Sequence, residues 1–303
     1  MRLPYEWAEA TIPVNGVDLQ CYRTGNGPPL LMAHGFYENA PCMAQLANDL
    51  ADDYEVILYD ARGHGMSDAS EAGYTIDDRV ADLVGVVDHL DLEDPILFGH
   101  SMGGSAAAWT TATHPDLPRA LVLEDPANLR GHHEIEAEKR VALVRDRLEA
   151  IDSQTVAELA SDYEQYGPNA ARQIAIANTE CHPHIVEIAR EGYPRTADAF
   201  PKIECPTLVL KSDADTEVRA ADVAAAEPLR HGRLVHIYDA GHSVFRDQYD
   251  AAFAELQTFL HRVETRTSQS ETPNRRRRFA RLCRENPKSS SFGWVTAPVG
   301  TSG

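Results

Sequence analysis

Lysine is scarce in this 303-residue chain: Lys139, Lys202, Lys211 and Lys288 are the only four among 28 lysines and arginines. Positive charge is short altogether, with 47 acidic residues and a net charge of -19. The shortage is uneven. From Thr265 onward eight basic residues face two acidic ones, so the first 264 residues carry 20 basic against 45 acidic side chains, a net -25. A body so acidic is repelled by nucleic acid and by anionic lipid, and neither is expected as a partner. An acidic, lysine-poor surface suits a salt-rich cytoplasm, and a GC-rich genome produces the same Arg-for-Lys bias. Cysteine is sparse too. Cys21, Cys42, Cys181, Cys205 and Cys283 are odd in number, widely spaced and without a CxxC pair, which argues against a disulfide framework or a zinc site. No run of about 18 uncharged apolar residues occurs, which argues against a spanning helix. Met1 to Asn15 contains Glu6 and Glu9 and no apolar h-region, so no signal peptide is read there and a cytoplasmic location is expected.

What is present is a rhythm. Apolar runs at Ala8–Pro13, Val17–Arg23, Pro29–Ala33, Tyr54–Tyr59, Pro95–Phe98 and Arg119–Glu124 alternate with helical patterns at 43–51, 76–90 and 102–113. The first two runs flank Asn15-Gly16, a two-residue hairpin turn. The later ones are short and nearly all apolar, as strands buried on both faces of a parallel sheet are. From Asn128 to Phe200 only helical patterns occur, and the β/α alternation then resumes with runs at 206–210 and 233–238 and helices at 220–230 and 244–263. This predicts an α/β core in two parts, 1–127 and 201–264, a helical insertion over 128–200 that covers the strand ends, and a basic, disordered tail over 265–303.

The chemistry concentrates at the ends of these strands. Gly99-His100-Ser101-Met102-Gly103 fits G-x-S-x-G between a strand and a helix, the context in which a serine hydroxyl is exposed on a tight turn. A serine needs a base, and the base needs an orienting acid. His242, in Asp239-Ala240-Gly241-His242, follows the last strand and is the expected base. For the acid, Asp215 is preferred because Thr216-Glu217-Val218 resembles a short turn into the next helix; Asp125, one strand earlier, and Asp213 compete. His34-Gly35-Phe36-Tyr37 follows the strand 29–33, and the amides of Phe36 and Met102 are expected to hold an oxyanion. Tyr37 and His100 are candidates for contact with the substrate. Asp60-Ala61-Arg62-Gly63-His64-Gly65-Met66-Ser67 reads as a supporting turn. His132-His133-Glu134-x-Glu136 and Cys181-His182-x-His184 contain metal-capable side chains without the spacing of a metal site.

Together, His34-Gly35-Phe36, the segment Asp60–Ser67, Gly99–Gly103, Asp215 and Gly241-His242 resemble the α/β-hydrolase superfamily. The branch they look most like contains serine esterases, C–C hydrolases and cofactor-free haloperoxidases with a helical cap. The resemblance covers roughly residues 8–263. It implies an eight-stranded, mostly parallel sheet flanked by helices, a cap inserted after the sixth strand, a Ser-His-Asp catalytic triad and no cofactor or metal. The resemblance is less specific for substrate; the expected reaction is hydrolysis of a small to medium, fairly apolar carboxylic ester through an acyl-enzyme on Ser101. A C–C hydrolase, lactonase, thioesterase or perhydrolase would use the same residues, and a ligand sensor on the same fold is a further alternative. The oligomeric state is left open.

Overall fold

A computed structural model of the chain describes residues 7–131, 135–270 and 294–296. Asn15 and Gly16 take φ of 47° and 78°, which joins β1 (Ala8–Val14) to β2 (Val17–Thr24) as an antiparallel hairpin with Val14 opposite Val17. The parallel part of the sheet consists of β3 (Pro29–Ala33), β4 (Glu55–Tyr59), β5 (Ile96–His100), β6 (Ala120–Glu124), β7 (Thr207–Lys211) and β8 (Gly232–His236). Their spatial order is β8-β7-β6-β5-β3-β4-β2-β1, with β2 antiparallel to β4. Two residues of β9 (Val295–Thr296) pair with β1 at the edge and make a ninth strand. The sheet is thus the expected eight-stranded, mostly parallel one, extended by a short strand from the C-terminal segment.

Each central strand buries both faces, and two apolar layers sandwich the sheet. One layer is covered by α2 (Ile76–His89) and α3 (Ser101–Thr113), the other by α1 (Ala44–Leu50) and α10 (Tyr249–Ser270). Helix α2 starts where Thr75 and Asp78 form a reciprocal capping box. Helix α3 is built of small residues because it presses against strand backbone: a Cβ on Gly103 would lie 2.2 Å from the Ala33 carbonyl oxygen. Between β6 and β7 come α4 (Ala137–Asp152), α5 (Val156–Ser161), α6 (Pro168–Thr179) and α7 (Val186–Glu191), with no strand among the described residues of that segment. After β7 follows α8 (Thr216–Ala226).

Two expectations need adjustment. The helix read over 244–263 is broken: α9 (Val244–Asp247) ends at Gln248, whose φ of -138° and ψ of 62° leave the helical region before α10 begins. Within the tail expected to be disordered over 265–303, α10 continues through Ser270 and Val295–Thr296 form β9. The remainder of that expectation, over 271–293 and 297–303, lies outside the described residues. Arg23 places its guanidinium 5.6 Å from the Trp294 ring beside β9. No described helix is long and apolar enough to cross a membrane.

Candidate active site

The parallel strands deliver their ends to one edge, and the sequence places its polar residues there. At the end of β5 the chain turns into α3 on Ser101, which takes the left-handed φ of 49°. A non-glycine residue in that region stores strain of order 1–3 kcal/mol, and the turn is enforced by close packing. A Cβ on Gly99 would lie 2.3 Å from the Gly103 carbonyl oxygen, so only glycine permits it. Ser101 is 8% exposed.

His242 lies on the loop after β8, with its side chain 58% exposed. Its Nε2 is 2.9 Å from Ser101 Oγ and its Nδ1 is 2.5 Å from Asp125 Oδ2. A carboxylate can only accept, so Nδ1 carries the proton and Nε2 accepts from the serine hydroxyl. The acid in contact with the histidine is therefore Asp125. It follows β6 directly, takes φ of 37°, and donates its amide to the Leu210 carbonyl at 2.8 Å. Its Oδ1 accepts from Lys211 Nζ and, at 3.3 Å, from Ser212 Oγ. Burial opposes the Asp125 charge, but the hydrogen bond from His242 and the Lys211 ammonium hold its carboxyl down at about 2.

The expectation for Asp215 is corrected here. Asp215 is the N-cap of α8, and its Oδ1 accepts from the Val218 amide at 2.9 Å. Its side chain satisfies a free helix amide on the surface, and the partner of His242 Nδ1 is Asp125 instead. Asp213 is also engaged elsewhere: it pairs with Arg219 and accepts from the Asp239 amide at 2.7 Å, which braces the loop that carries His242.

His100 precedes the serine and is held from both sides. It is 5% exposed, and both ring nitrogens are occupied: Nδ1 lies 3.1 Å from Glu38 Oε2 and Nε2 lies 3.2 Å from the His242 carbonyl oxygen. Both partners accept, so both nitrogens carry protons. Burial alone would push this imidazole down, but the carboxylates of Glu38 and Glu124 outweigh it and bring it to about 9. Glu38 Oε1 takes a hydrogen bond of 2.5 Å from Arg246, and Oε2 also accepts from the Gly35 amide at 2.9 Å. Burial works against the Glu38 charge, yet Arg246 and His100 hold its carboxyl well below the usual range. Gly35 has no room for a side chain, since a Cβ would lie 2.8 Å from His100 Nδ1. Thus His100 ties the loop after β3, the serine turn and the histidine loop together.

The loop after β3 is fixed from the other side too. His34 Nε2 accepts from the Ala61 amide at 2.9 Å, so its Nδ1 carries the proton and donates to the Gly35 carbonyl at 2.7 Å. The His34 carbonyl receives the Gly103 amide at 3.1 Å. Asp60 accepts from the amides of Ala40 and Met66 at 2.7 and 2.9 Å, and Arg62 makes a buried two-pronged pair with Asp82 at 2.7 and 2.6 Å. These contacts fit the reading of 60–67 as a supporting turn. Phe36 is half-buried next to the serine turn, and Met102 occupies the first turn of α3, where amides lack intrahelical partners.

Tyr37 is half-buried, stacks edge-on against Phe36 at 4.7 Å, and gives its carbonyl to Asn178 of α6 at 2.9 Å. Phe36, Tyr37 and Met102 pack into one apolar cluster with Ile185, Ile188 and Tyr193 from the segment between β6 and β7. That segment therefore forms an apolar roof over the loop. A cavity of about 520 Å³ opens next to it, lined among others by Cys42, His100, Arg172, Ser243 and Arg246; Ser101 does not line it. Of the metal-capable motifs, His132, His133 and Glu134 lie outside the described residues, and His184 Nδ1 meets the Ala69 carbonyl at 3.2 Å. Among the described residues no three His, Cys, Asp or Glu side chains converge as a metal site.

Lys211, Glu38 and Arg246 were not read as site residues from the sequence. Lys211 had one signal: it is a rare lysine closing the apolar strand Thr207-Leu208-Val209-Leu210. Glu38 and Arg246 are 208 positions apart, and only the fold brings them together.

Residues 30–256 match the model of the alpha/beta hydrolase family, and the chain belongs to that family. Among curated proteins, 2-(acetamidomethylene)succinate hydrolase of Mesorhizobium japonicum is 34% identical over 114 residues, 38% of this chain and 41% of that protein. The chain thus spans less than half the length of this relative. Pimeloyl-[acyl-carrier protein] methyl ester esterase of Xanthomonas oryzae pv. oryzae is 26% identical over 79% of this chain and 97% of its own length. Among solved structures, that of E-2-(acetamidomethylene)succinate hydrolase superposes with a TM-score of 0.69 at 24% identity, covering 84% of this chain and 99% of that one. This last likeness speaks to the fold.

Proposed function

We propose that this hydrolase cleaves a small to medium, fairly apolar carboxylic ester through an acyl-enzyme on Ser101. The observation that carries the reading is the unbroken chain from Ser101 Oγ through His242 to Asp125, at 2.9 and 2.5 Å. His242 takes the serine proton as Oγ attacks the acyl carbon, and Asp125 holds the imidazole in the required tautomer and offsets its positive charge. The amides of Phe36 and Met102 hold the oxyanion. His242 then protonates the leaving alcohol and activates the water that releases the acid. The helices over 128–200 act as a cap, and their apolar contacts around Phe36 and Tyr37 support the choice of an apolar acyl group. The four described cysteines are free thiols, in keeping with a cytoplasmic setting.

Replacing Ser101 by alanine tests this. Turnover of p-nitrophenyl butyrate should fall by about 10⁴ or more, with the melting temperature kept, and fluorophosphonate labelling should disappear. Turnover close to wild type would overturn the assignment. A second reading follows from the succinate derivative named in one relative: an anionic acyl compound as substrate. Monoesters of dicarboxylic acids, run against neutral esters of equal length, separate the two.

A further inference from the structure

The proposed mechanism uses one oxygen of Asp125 and leaves the other out. That second oxygen, Oδ1, is in an ion pair with Lys211 Nζ and accepts from Ser212 Oγ. Lys211 closes β7 and is only 13% exposed, and Asp125 is 8% exposed, so the pair is screened from solvent far better than a surface pair. Lys211 and Ser212 thus stand at the end of β7 and grip the acid delivered by β6. The same carboxylate is asked to stabilise the imidazolium that forms on His242 when it takes the serine proton. A cation on the other oxygen opposes a second cation at that place.

We propose that Lys211 is a positioning residue that clamps Asp125 toward His242 and, by opposing the imidazolium, extends the activity of the enzyme to lower pH. The proposal rests on the Ser101–His242–Asp125 reading. The other charged groups around His242 do not share its carboxylate. The His100 ring is 5.1 Å away by centroids, with Glu38 and Arg246 behind it. Glu124 Oε1 accepts from the Phe245 amide, and Asp213 is paired with Arg219. Their contributions persist when Lys211 is changed, so a shift on its replacement reports the lysine.

Two unit charges roughly 6 Å apart, at an effective dielectric of about 20 to 40, displace a titration by about one to two pH units. The test is the pH profile of kcat/KM on a neutral activated ester for wild type, Lys211→Met and Lys211→Arg. With methionine the acid limb should move up by about one unit or more, and kcat should fall while KM holds. Arginine, which keeps the charge, should restore the wild-type limb. A folded Lys211→Met enzyme whose acid limb coincides with wild type would overturn the proposal. Lys211→Gln, which keeps a donor toward Oδ1, serves the same comparison should the methionine variant not fold. Failure of the triad reading looks different: Ser101→Ala would then retain turnover, whatever the lysine variants do.

Discussion

Two groupings of the same composition stand side by side in this site. In one, Asp125 is shared between His242 and Lys211; in the other, Glu38 is shared between His100 and Arg246. Both carboxylates are buried, and each gives one oxygen to an imidazole and the other to a fixed cation. The groupings differ at the far nitrogen of the imidazole. His242 Nε2 meets a hydroxyl that can donate to it, whereas His100 Nε2 meets a carbonyl that can only accept. The side chains differ in exposure as well, 58% for His242 and 6% for His100. An imidazole between a carboxylate and a hydroxyl can gain a proton and lose it again. One between a carboxylate and a carbonyl is held protonated and becomes a structural cation. The partner at Nε2, more than the carboxylate, separates the proposed catalyst from its support.

The largest expected effect breaks the first grouping. Asp125→Asn presents an amide to His242 Nδ1, and an amide turned to donate favours the tautomer that cannot accept from Ser101. By analogy with the equivalent change in serine proteases, kcat should fall by about 10⁴. Steady-state kinetics with circular dichroism as the control for folding measure it. A loss of less than tenfold would mean that Asp125 does not orient the base.

The second grouping predicts a loss of stability. Glu38→Gln leaves His100 and Arg246 without their carboxylate in a buried setting, which should cost about 3 kcal/mol in urea unfolding at pH 7. A pH signature accompanies it. His100 is raised from 6.5 to about 9 on folding, so its contribution is complete below about pH 6.5 and fades as the pH rises through about 9. That contribution is about 3 kcal/mol from the displacement, and Glu38→Gln should remove most of it and flatten the decline in stability between pH 7 and 9.5. Parallel pH curves for variant and wild type would show that His100 is not held as a cation by Glu38.

Much of this arrangement was legible because its signals are local. The Asn15-Gly16 hairpin, the apolar strands and the glycine-flanked Ser101 turn each depend on a few neighbouring residues whose backbone preferences agree with the fold. The His242 loop was legible from its order in the chain. The acid was not, because two strand ends offer aspartates and a side chain's direction depends on φ, which at Asp125 is left-handed. The pairing of His100 is not legible from its neighbours, because Glu38 is brought in by the loop after β3. Arg246 and Lys211 are likewise assigned by pairings across the fold. The break at Gln248 was hidden by a continuous apolar pattern on either side of it.

Asp215 gives the smallest expected effect and the sharpest contrast with Asp125. The helix read over 220–230 starts earlier, at Thr216, which makes Asp215 its N-cap. With Oδ1 on the Val218 amide, Asp215→Ala should cost about 1 kcal/mol of stability and leave kcat and KM within twofold of wild type. Thermal unfolding and ester kinetics on the one variant decide the matter. A 10³-fold fall in kcat would place the orienting role on the strand after the insertion and refute the division of labour between the two aspartates. An N-cap loss with intact kinetics would leave Asp125 as the acid that orients His242, whose Nε2 meets the Ser101 hydroxyl where that of His100 meets a carbonyl.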